Sequence, residues 1–403
     1  MAAPVLYMES NMKEALDRGF AAAFGTEPQR YFSAPGRTEI GGNHTDHQRG
    51  RVLAAAVNLD TVAAVRENGT DVIRILSKGY PRCEINVKEL TPKADEINTT
   101  PALIRGVAAR FVQLGCEVKG FDAYVESTVL PGSGLSSSAA FEVLMGTIVN
   151  HLFFGGKATQ PEVAKIGQYA ENVFFGKPCG LMDQTASAVG NLVTIDFFDK
   201  ENPVIEPVDF DFAACGHALC IIDSGADHAD LTDEYAAITI ELRHICAYFG
   251  KQVLTEIDGA DFMAAIPALR AECGDRAVLR ALHFYKENAR VPRQVAALRS
   301  GDFPEFLRLI KESGYSSYMY LQNVIPAGYT AHQDVAVALA LCEHFLGGRG
   351  AYRVHGGGFA GTVQAFVPFD ILDAFRTGID AVLGEGACHV LSIRPHGGVQ
   401  AEV

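Results

Sequence analysis

The chain of 403 residues is 48% hydrophobic and sets 34 Lys and Arg against 48 Asp and Glu, for a formal net charge of −14. That length exceeds one ordinary core and predicts about two domains, while the acidic balance repels phosphate backbones and excludes general nucleic-acid binding. No apolar run is long enough to span a bilayer, and the nine cysteines are scattered without a C-x-x-C pair; the expectation is a soluble, cytoplasmic protein with reduced thiols, no membrane partner and no zinc.

The opening "MAAPVLYMESNMKEALDRGF" is amphipathic and charged, without the layout of a signal peptide. Residues 34–50, "APGRTEIGGNHTDHQRG", pack Arg37, Asn43, His44, Asp46 and His47 into a turn-rich stretch. Short polar groups at that density beside glycines suit one small polyhydroxylated ligand, and equally suit a solvated loop with Asx turns. His44 and His47 lack the helical context and further ligands of a metal site. "GRVLAAAVNLDTVAAV" and "DVIRILS" then read as strands, residues 101–115 as a helix, and "FDAYVES" as a half-buried strand in which Phe121, Ala123 and Val125 alternate with Asp122, Tyr124 and Glu126.

In "LPGSGLSSSAAFEVLMG", residues 130–146, glycines and serines run straight into a helical pattern. Phe141, Leu144, Met145, Ile148, Val149 and Leu152 share one face and predict a helix over 136–153. The order strand, glycine loop, helix leaves backbone N–H groups unpaired at the positive end of a helix dipole, where glycine lets an anion approach. Ordinary capped helices begin the same way, and the loop matches neither Walker A nor G-x-G-x-x-G. A second helix, 161–174, opens on Pro161 and repeats Val163, Ile166, Ala170 and Val173.

Within "AENVFFGKPCGLMDQTASAVG", residues 170–190, Glu171 lies at the edge of that stripe and Asp183 in the first turn of the next helix. Acids near a helix start are ordinary dipole partners. Together they also supply what phosphoryl transfer requires, an oxygen ligand for Mg²⁺ and a carboxylate to orient or deprotonate a hydroxyl. Further on, "HALCIIDSG" from 217 reads as a strand, residues 228–250, 260–288 and 302–313 as helices, and "GAYRVHGGGFAGTVQAFVPF" as strand, glycine turn, strand. Strands and helices in blocks, not in strict βαβ alternation, predict two α+β domains, residues 1–205 and 206–403.

Four of these stretches, in this order, resemble the motifs of the GHMP small-molecule kinases and, within them, of the galactokinases. "PGSGLSSSAA" is similar to that superfamily's phosphate loop and "HGGGFAGT" to its C-terminal glycine motif, while "APGR…HTDH" and "CGLMDQ" are similar to the galactokinase sugar site. The resemblance spans residues 34–366 and implies a two-domain α+β GHMP kinase fold. An N-terminal ribosomal-protein-S5-like domain and a C-terminal ferredoxin-like domain would flank the active site. It implies a kinase that uses ATP and Mg²⁺ to phosphorylate the anomeric hydroxyl of galactose; a monomer is expected, though the resemblance does not set the oligomeric state. Carried over, Asp183 is the base and Arg37 keeps it ionised and offsets charge on the transferred group. Gly132, Ser133, Gly134, Leu135, Ser136, Ser137 and Ser138 wrap the phosphates. Ser138 and Glu171 hold Mg²⁺, and Asn43, His44, Asp46, the Gly180 backbone and Tyr235 contact the sugar. Transfer is direct and in line, without a covalent enzyme intermediate.

The chain also departs from the family. Galactokinases usually read G-R-V-N-L-I-G-E-H-T-D-Y-N-G-G, whereas here Thr38, Glu39, Ile40, Gly41, Asn43, His47, Gln48 and Arg49 intervene. The usual glutamate, which in the family contacts the sugar's far hydroxyl, is Asn43, whose amide can donate as well as accept. Aromatic residues beside adenine are not evident in "INTTPALIRGV", and no arginine pair follows Tyr235. Two alternatives stand beside a galactose kinase: a sugar 1-kinase for another hexose or a modified galactose, and a non-catalytic galactose sensor.

Overall fold

The structure is a computed structural model that describes residues 6–129, 134–177, 179–226, 231–359 and 361–402. Gly132 and Ser133 of the expected phosphate loop, and residues 228–230 of the helix expected from 228, lie outside the described residues.

Two sheets organise the chain. The strands β1 (Leu6–Tyr7), β2 (Arg30–Gly41), β3 (Arg51–Glu67), β4 (Val72–Ser77), β5 (Cys83–Asn86), β6 (Phe121–Ser127), β7 (Leu192–Asp196) and β8 (Val204–Val208) build the first. A second, antiparallel sheet holds β9 (His217–Asp223), β10 (Ala351–Val354), β11 (Thr362–Pro368) and β12 (Cys388–Leu391) in the order β10-β11-β9-β12. The last strand, β13 (Val399–Glu402), returns to the first sheet between β1 and β2. The expected division at 205/206 therefore falls inside β8. Leu53 and Val57 of β3 share one apolar cluster with Leu219 and Ile221 of β9 and with Phe366 of β11, so the two sheets meet in continuous core.

Helices α1 (Ser10–Phe24), α2 (Thr100–Gln113), α3 (Ser137–Phe153), α4 (Gln160–Tyr169) and α5 (Met182–Val189) cover the first sheet. The remainder, α6 (Thr232–Tyr248), α7 (Gly259–Cys273), α8 (Asp275–Ser300), α9 (Phe303–Ser316), α10 (Asp334–Leu346) and α11 (Leu372–Leu383), surround the second. Among the described residues no helix is long and apolar enough to cross a membrane. All nine cysteines are free thiols.

Three expectations change in ways that matter for the site. Residues 34–41, read as turn-rich, are buried strand: β2 runs through them, with register shifts at Pro35/Arg37 and Glu39/Gly41. The strand β6 is buried on both faces, because Leu16 and Phe20 of α1 cover Tyr124, while Asp122 is buried against Arg74, whose Nε and Nη2 each donate at 2.6 Å. The helix expected over 260–288 is two helices. Gly274, at φ 86° and ψ 160°, ends α7, and α8 then continues to Ser300. Helix α8 buries a polar stripe, Arg280, His283, Glu287, Arg290 and Gln294, beside an apolar one that continues through Val291, Val295 and Leu298.

Candidate active site

The strand period places Arg37 and Glu39, two residues apart, on one face of β2, and the two register shifts flank them. Arg37 is 6% exposed and makes a bidentate pair with Asp183, Nε to Oδ1 and Nη2 to Oδ2, both at 2.8 Å. Its Nη1 donates to the Gly134 carbonyl, and its own backbone N–H donates to the Leu135 carbonyl at 3.0 Å. The Ser136 hydroxyl donates to Asp183 Oδ2. One guanidinium thus joins the strand, the serine-rich loop and the first turn of α5. Burial pushes the Asp183 carboxyl up, but the charge and hydrogen bonds of Arg37, with the Ser136 hydroxyl, outweigh it and hold the carboxyl below its ordinary value. Its side chain remains one-third exposed, at 33%.

That carboxylate faces a cavity of about 550 Å³, which Glu39, His44, Asp46, Gly180, Tyr235 and Gly357 also line. His44 sits in a left-handed backbone conformation at φ 57° and donates from Nε2 to the Gly357 carbonyl at 3.0 Å. Burial and the neighbouring His47 lower its pKa to about 4, so at neutral pH the ring is uncharged and Nδ1 is an acceptor. Tyr235, on α6, donates its hydroxyl to the Gly358 carbonyl at 2.7 Å. A Cβ at Gly180 would stand 2.4 Å from Asp46 Oδ2, so any larger residue there would push the Asp46 carboxylate aside.

Asn43 is placed differently from its expected role. Its side chain is fully buried, and Nδ2 donates to Glu39 Oε1 (3.1 Å) and to the Gly356 carbonyl (2.6 Å). Oδ1 accepts from the Ser317 hydroxyl (3.1 Å) and from Asn323 Nδ2 (2.9 Å). Two donors and two acceptor sites exhaust an amide, and Asn43 is not among the residues of the cavity wall. Helix α8 fixes the same turn from beneath. His283 Nε2 donates to the Asn43 carbonyl at 2.9 Å, and Glu287 Oε1 accepts from the Gly42 N–H (3.0 Å) and the Ser313 hydroxyl (2.7 Å).

On the other side of Asp183, reached through the Ser136 hydroxyl, lies the start of α3. Ser136 precedes it at φ 56°, and among the described residues no side chain caps the N–H groups of its first turn. Gly134 is exposed, Leu135 is buried, and Ser137 and Ser138 stand half-buried on that turn. The helix expected over 161–174 turns π-helical at Ala170–Phe175, and this widened turn carries Glu171 inward, the kind of irregularity that gathers at functional sites. Glu171 Oε2 and Glu142 Oε2 both accept from Gln184 Nε2 at 2.9 Å, and Glu171 Oε1 lies 3.7 Å from Lys177 Nζ. Glu142 Oε1 is buried without a partner among the described residues. Burial and the adjacent Glu171 raise the Glu142 carboxyl well above its ordinary value. Ser138 and Glu142 are one turn apart on α3 and share a face. The donors are all oxygen, hard and partly unpaired, which fits Mg²⁺; such a site completes its shell with phosphate and water.

Sequence reasoning missed several supports. The Ser136 hydroxyl donates to Asp183, a support additional to the backbone role expected of this loop. Glu39, two residues from Arg37 on a strand, and Glu142, four from Ser138 on a helix, were both within reach of simple periodicity. His355, inside the glycine motif, is a buried neutral ring whose Nε2 accepts from the Glu39 N–H at 3.2 Å. His283 and Glu287 carried no local signal.

A helix start joined through the Ser136 hydroxyl to a bidentate Arg–Asp pair that faces a cavity is the arrangement of a small-molecule kinase of the GHMP class. The family described as GHMP kinases N terminal domain matches residues 102–191, and the galactokinase galactose-binding signature matches residues 18–67. The galactokinase of Streptomyces coelicolor is 32% identical over 386 residues, covering 94% of this chain and 96% of that one. That of Glaesserella parasuis is 29% identical over 363 residues, covering 89% and 90%. The solved structure of Lactococcus lactis galactokinase complexed with galactose superposes with a TM-score of 0.80 at 25% identity, over 96% of this chain and 99% of that one. A mevalonate kinase structure shares the fold at a TM-score of 0.63 and 14% identity, over 91% and 99%. The chain belongs to the galactokinase family.

Proposed function

We propose that the protein transfers the γ-phosphoryl group of ATP to the anomeric hydroxyl of galactose, giving galactose 1-phosphate and ADP. One observation carries the reading: the Asp183 carboxylate, clamped by Arg37 and Ser136, joins the cavity to the start of α3. Three of the four acceptor sites of that carboxylate are used, and one on Oδ1 remains for the sugar hydroxyl. The new O–P bond forms as the bond to the β,γ-bridging oxygen breaks, and the hydroxyl proton passes to Asp183. The transition state of phosphoryl transfer is loose, so a carboxylate of low basicity suffices to orient the hydroxyl and receive its proton late. Arg37 keeps Asp183 ionised and offsets charge on the transferred group.

The first-turn N–H groups of α3 and the loop before it hold the phosphates. Ser138 and Glu171, with Glu142 behind, would hold Mg²⁺, which when bound offsets the charge of the β- and γ-phosphates. His44, Asp46, the Gly180 backbone and Tyr235 bind the sugar hydroxyls. The protein acts in the cytoplasm, where its free thiols stay reduced.

A panel of galactose, N-acetylgalactosamine, glucose and galacturonate, with ³¹P NMR of the products, tests the proposal. Galactose turnover with phosphate on the anomeric carbon is expected. No turnover of galactose with fast turnover of another sugar would sink it. A kinase for a modified galactose is the second reading, favoured by a groove of about 1080 Å³ that continues from Asp46, Gly180 and Tyr235 past Arg49, Arg110, Lys165, Lys200 and Arg243. An anionic substituent would suit that lining.

A further inference from the structure

Resting on the sugar-kinase reading, we propose that Glu39 is a specificity-determining residue whose Oε2 accepts a hydrogen bond from a sugar hydroxyl, and that Asn43 is the positioning residue that aims it. Four observations converge. Glu39 shares a β2 face with Arg37 and lines the same cavity, while Asn43 lies beyond the end of the strand with its amide turned inward. All polar capacity of the Asn43 amide is used by the protein, so it has no bond to offer a ligand. The Glu39 carboxylate is half used: Oε1 accepts from Arg353 Nη2 (2.5 Å) and Asn43 Nδ2 (3.1 Å), whereas Oε2 accepts nothing from the described residues and is not sealed in the core. Finally, the family pattern has Asn at position 39 and Glu at position 43, and this chain holds the same two residues in exchanged order, in contact with each other.

A carboxylate oxygen on a cavity wall, fixed from behind by a guanidinium and an amide, is built to recognise a donor. Arg353 is fully buried and also donates from Nη1 to the Ile40 carbonyl at 2.8 Å, so the arm that holds Glu39 is itself anchored to the strand. A neutral hydroxyl satisfies Oε2, whereas a deoxy carbon leaves it desolvated and unpaired and a substrate carboxylate meets like charge. The amide of Asn43 donates to Glu39, so it orders the acceptor without adding charge.

The test is a mutant cycle on the full chain with galactose and its 2-, 3-, 4- and 6-deoxy analogues, all of which keep the anomeric acceptor hydroxyl. Glu39→Gln keeps an acceptor for Arg353 and should raise the galactose KM about 10- to 100-fold, with the ATP KM unchanged. Wild type should discriminate against one monodeoxy sugar far more than the others, and that discrimination should collapse in Glu39→Gln. Asn43→Glu alone sets a second carboxylate against the first and should also raise the galactose KM. The double exchange Glu39→Asn with Asn43→Glu should recover at least tenfold over Asn43→Glu and regain discrimination against the same deoxy sugar, a readout that relief of like-charge repulsion alone would not move. The proposal is overturned if Glu39→Gln binds galactose and every deoxy sugar as wild type does, or if the double exchange equals the product of the singles. Should a variant fold poorly, the deoxy series on wild type decides: equal turnover of all members overturns it. Absence of wild-type galactose turnover would instead strike the proposed function.

Discussion

The two walls of the cleft recognise their ligands by different means. On the sugar side the turn 42–48 is held by buried side chains from distant elements, with Asn43, His283, Glu287 and Ser313 all engaged with one another or with the turn. On the phosphate side the first turn of α3 has no side-chain cap among the described residues, and what it offers is main chain. The difference follows from the ligands. A neutral sugar is told from its isomers by the direction of each hydroxyl, which demands rigid donors and acceptors. A triphosphate is told by charge, which a row of N–H groups at a helix start meets without specificity for the rest of the molecule.

Asp183 is the seam between the walls, and its loss should have the largest effect. Asp183→Asn should lower kcat by about 10³-fold or more while galactose still raises the melting temperature, because the amide keeps the shape and loses the proton acceptor. A variant with most of its activity would show that the base lies elsewhere.

Arg37 couples the walls by holding both Asp183 and the Gly134 and Leu135 carbonyls. Arg37→Met should lower kcat/KM by about 10³-fold. It should also move the acid limb of the pH–rate profile. Burial alone pushes the Asp183 carboxyl up, and with the guanidinium gone nothing comparable offsets it, so the variant should lose activity in mild acid where the wild type keeps it. An acid limb that stays in place would separate Arg37 from the ionisation of Asp183.

The same contrast explains what could be read from the sequence. The phosphate wall is local: β6, the serine-rich loop and α3 follow one another, and the apolar stripe from Phe141 to Leu152 marks the helix within a residue of its observed ends. The sugar wall is assembled from afar. Whether Asn43 faces ligand or core is decided by Ser317, Asn323 and Gly356, hundreds of positions along the chain, and by the buried polar stripe of α8. A residue type can be legible while its direction is not.

Glu287 tests the long-range frame by itself. Burial pushes this carboxyl up, but Arg290, His283 and Arg353 outweigh it and hold it at about 2. Since the folded value lies below the unfolded one of roughly 4.3, its contribution is present above that pH and is lost as pH falls toward 2. Urea unfolding of Glu287→Gln should therefore show a deficit of about 3 kcal/mol at pH 7 that shrinks through the acid range. The galactose KM should rise with the ATP KM unchanged. A rise in both would mean that the walls are not independently built.

Ser136→Gly should give the smallest change and is the most discriminating on the phosphate side. Ser136 holds a left-handed conformation, φ 56° and ψ 64°, that strains a side chain and suits glycine, so the substitution should stabilise the fold by about 0.5–1 kcal/mol. The same change removes the hydroxyl that donates to Asp183 Oδ2 and frees the start of α3, so kcat should fall by about tenfold. Melting temperature and turnover should move in opposite directions, because backbone strain at this position is retained for the bond it aims and not for stability. If stability and activity rose together, the serine would be a remnant of helix capping, and the phosphate wall would owe its geometry to the main chain alone.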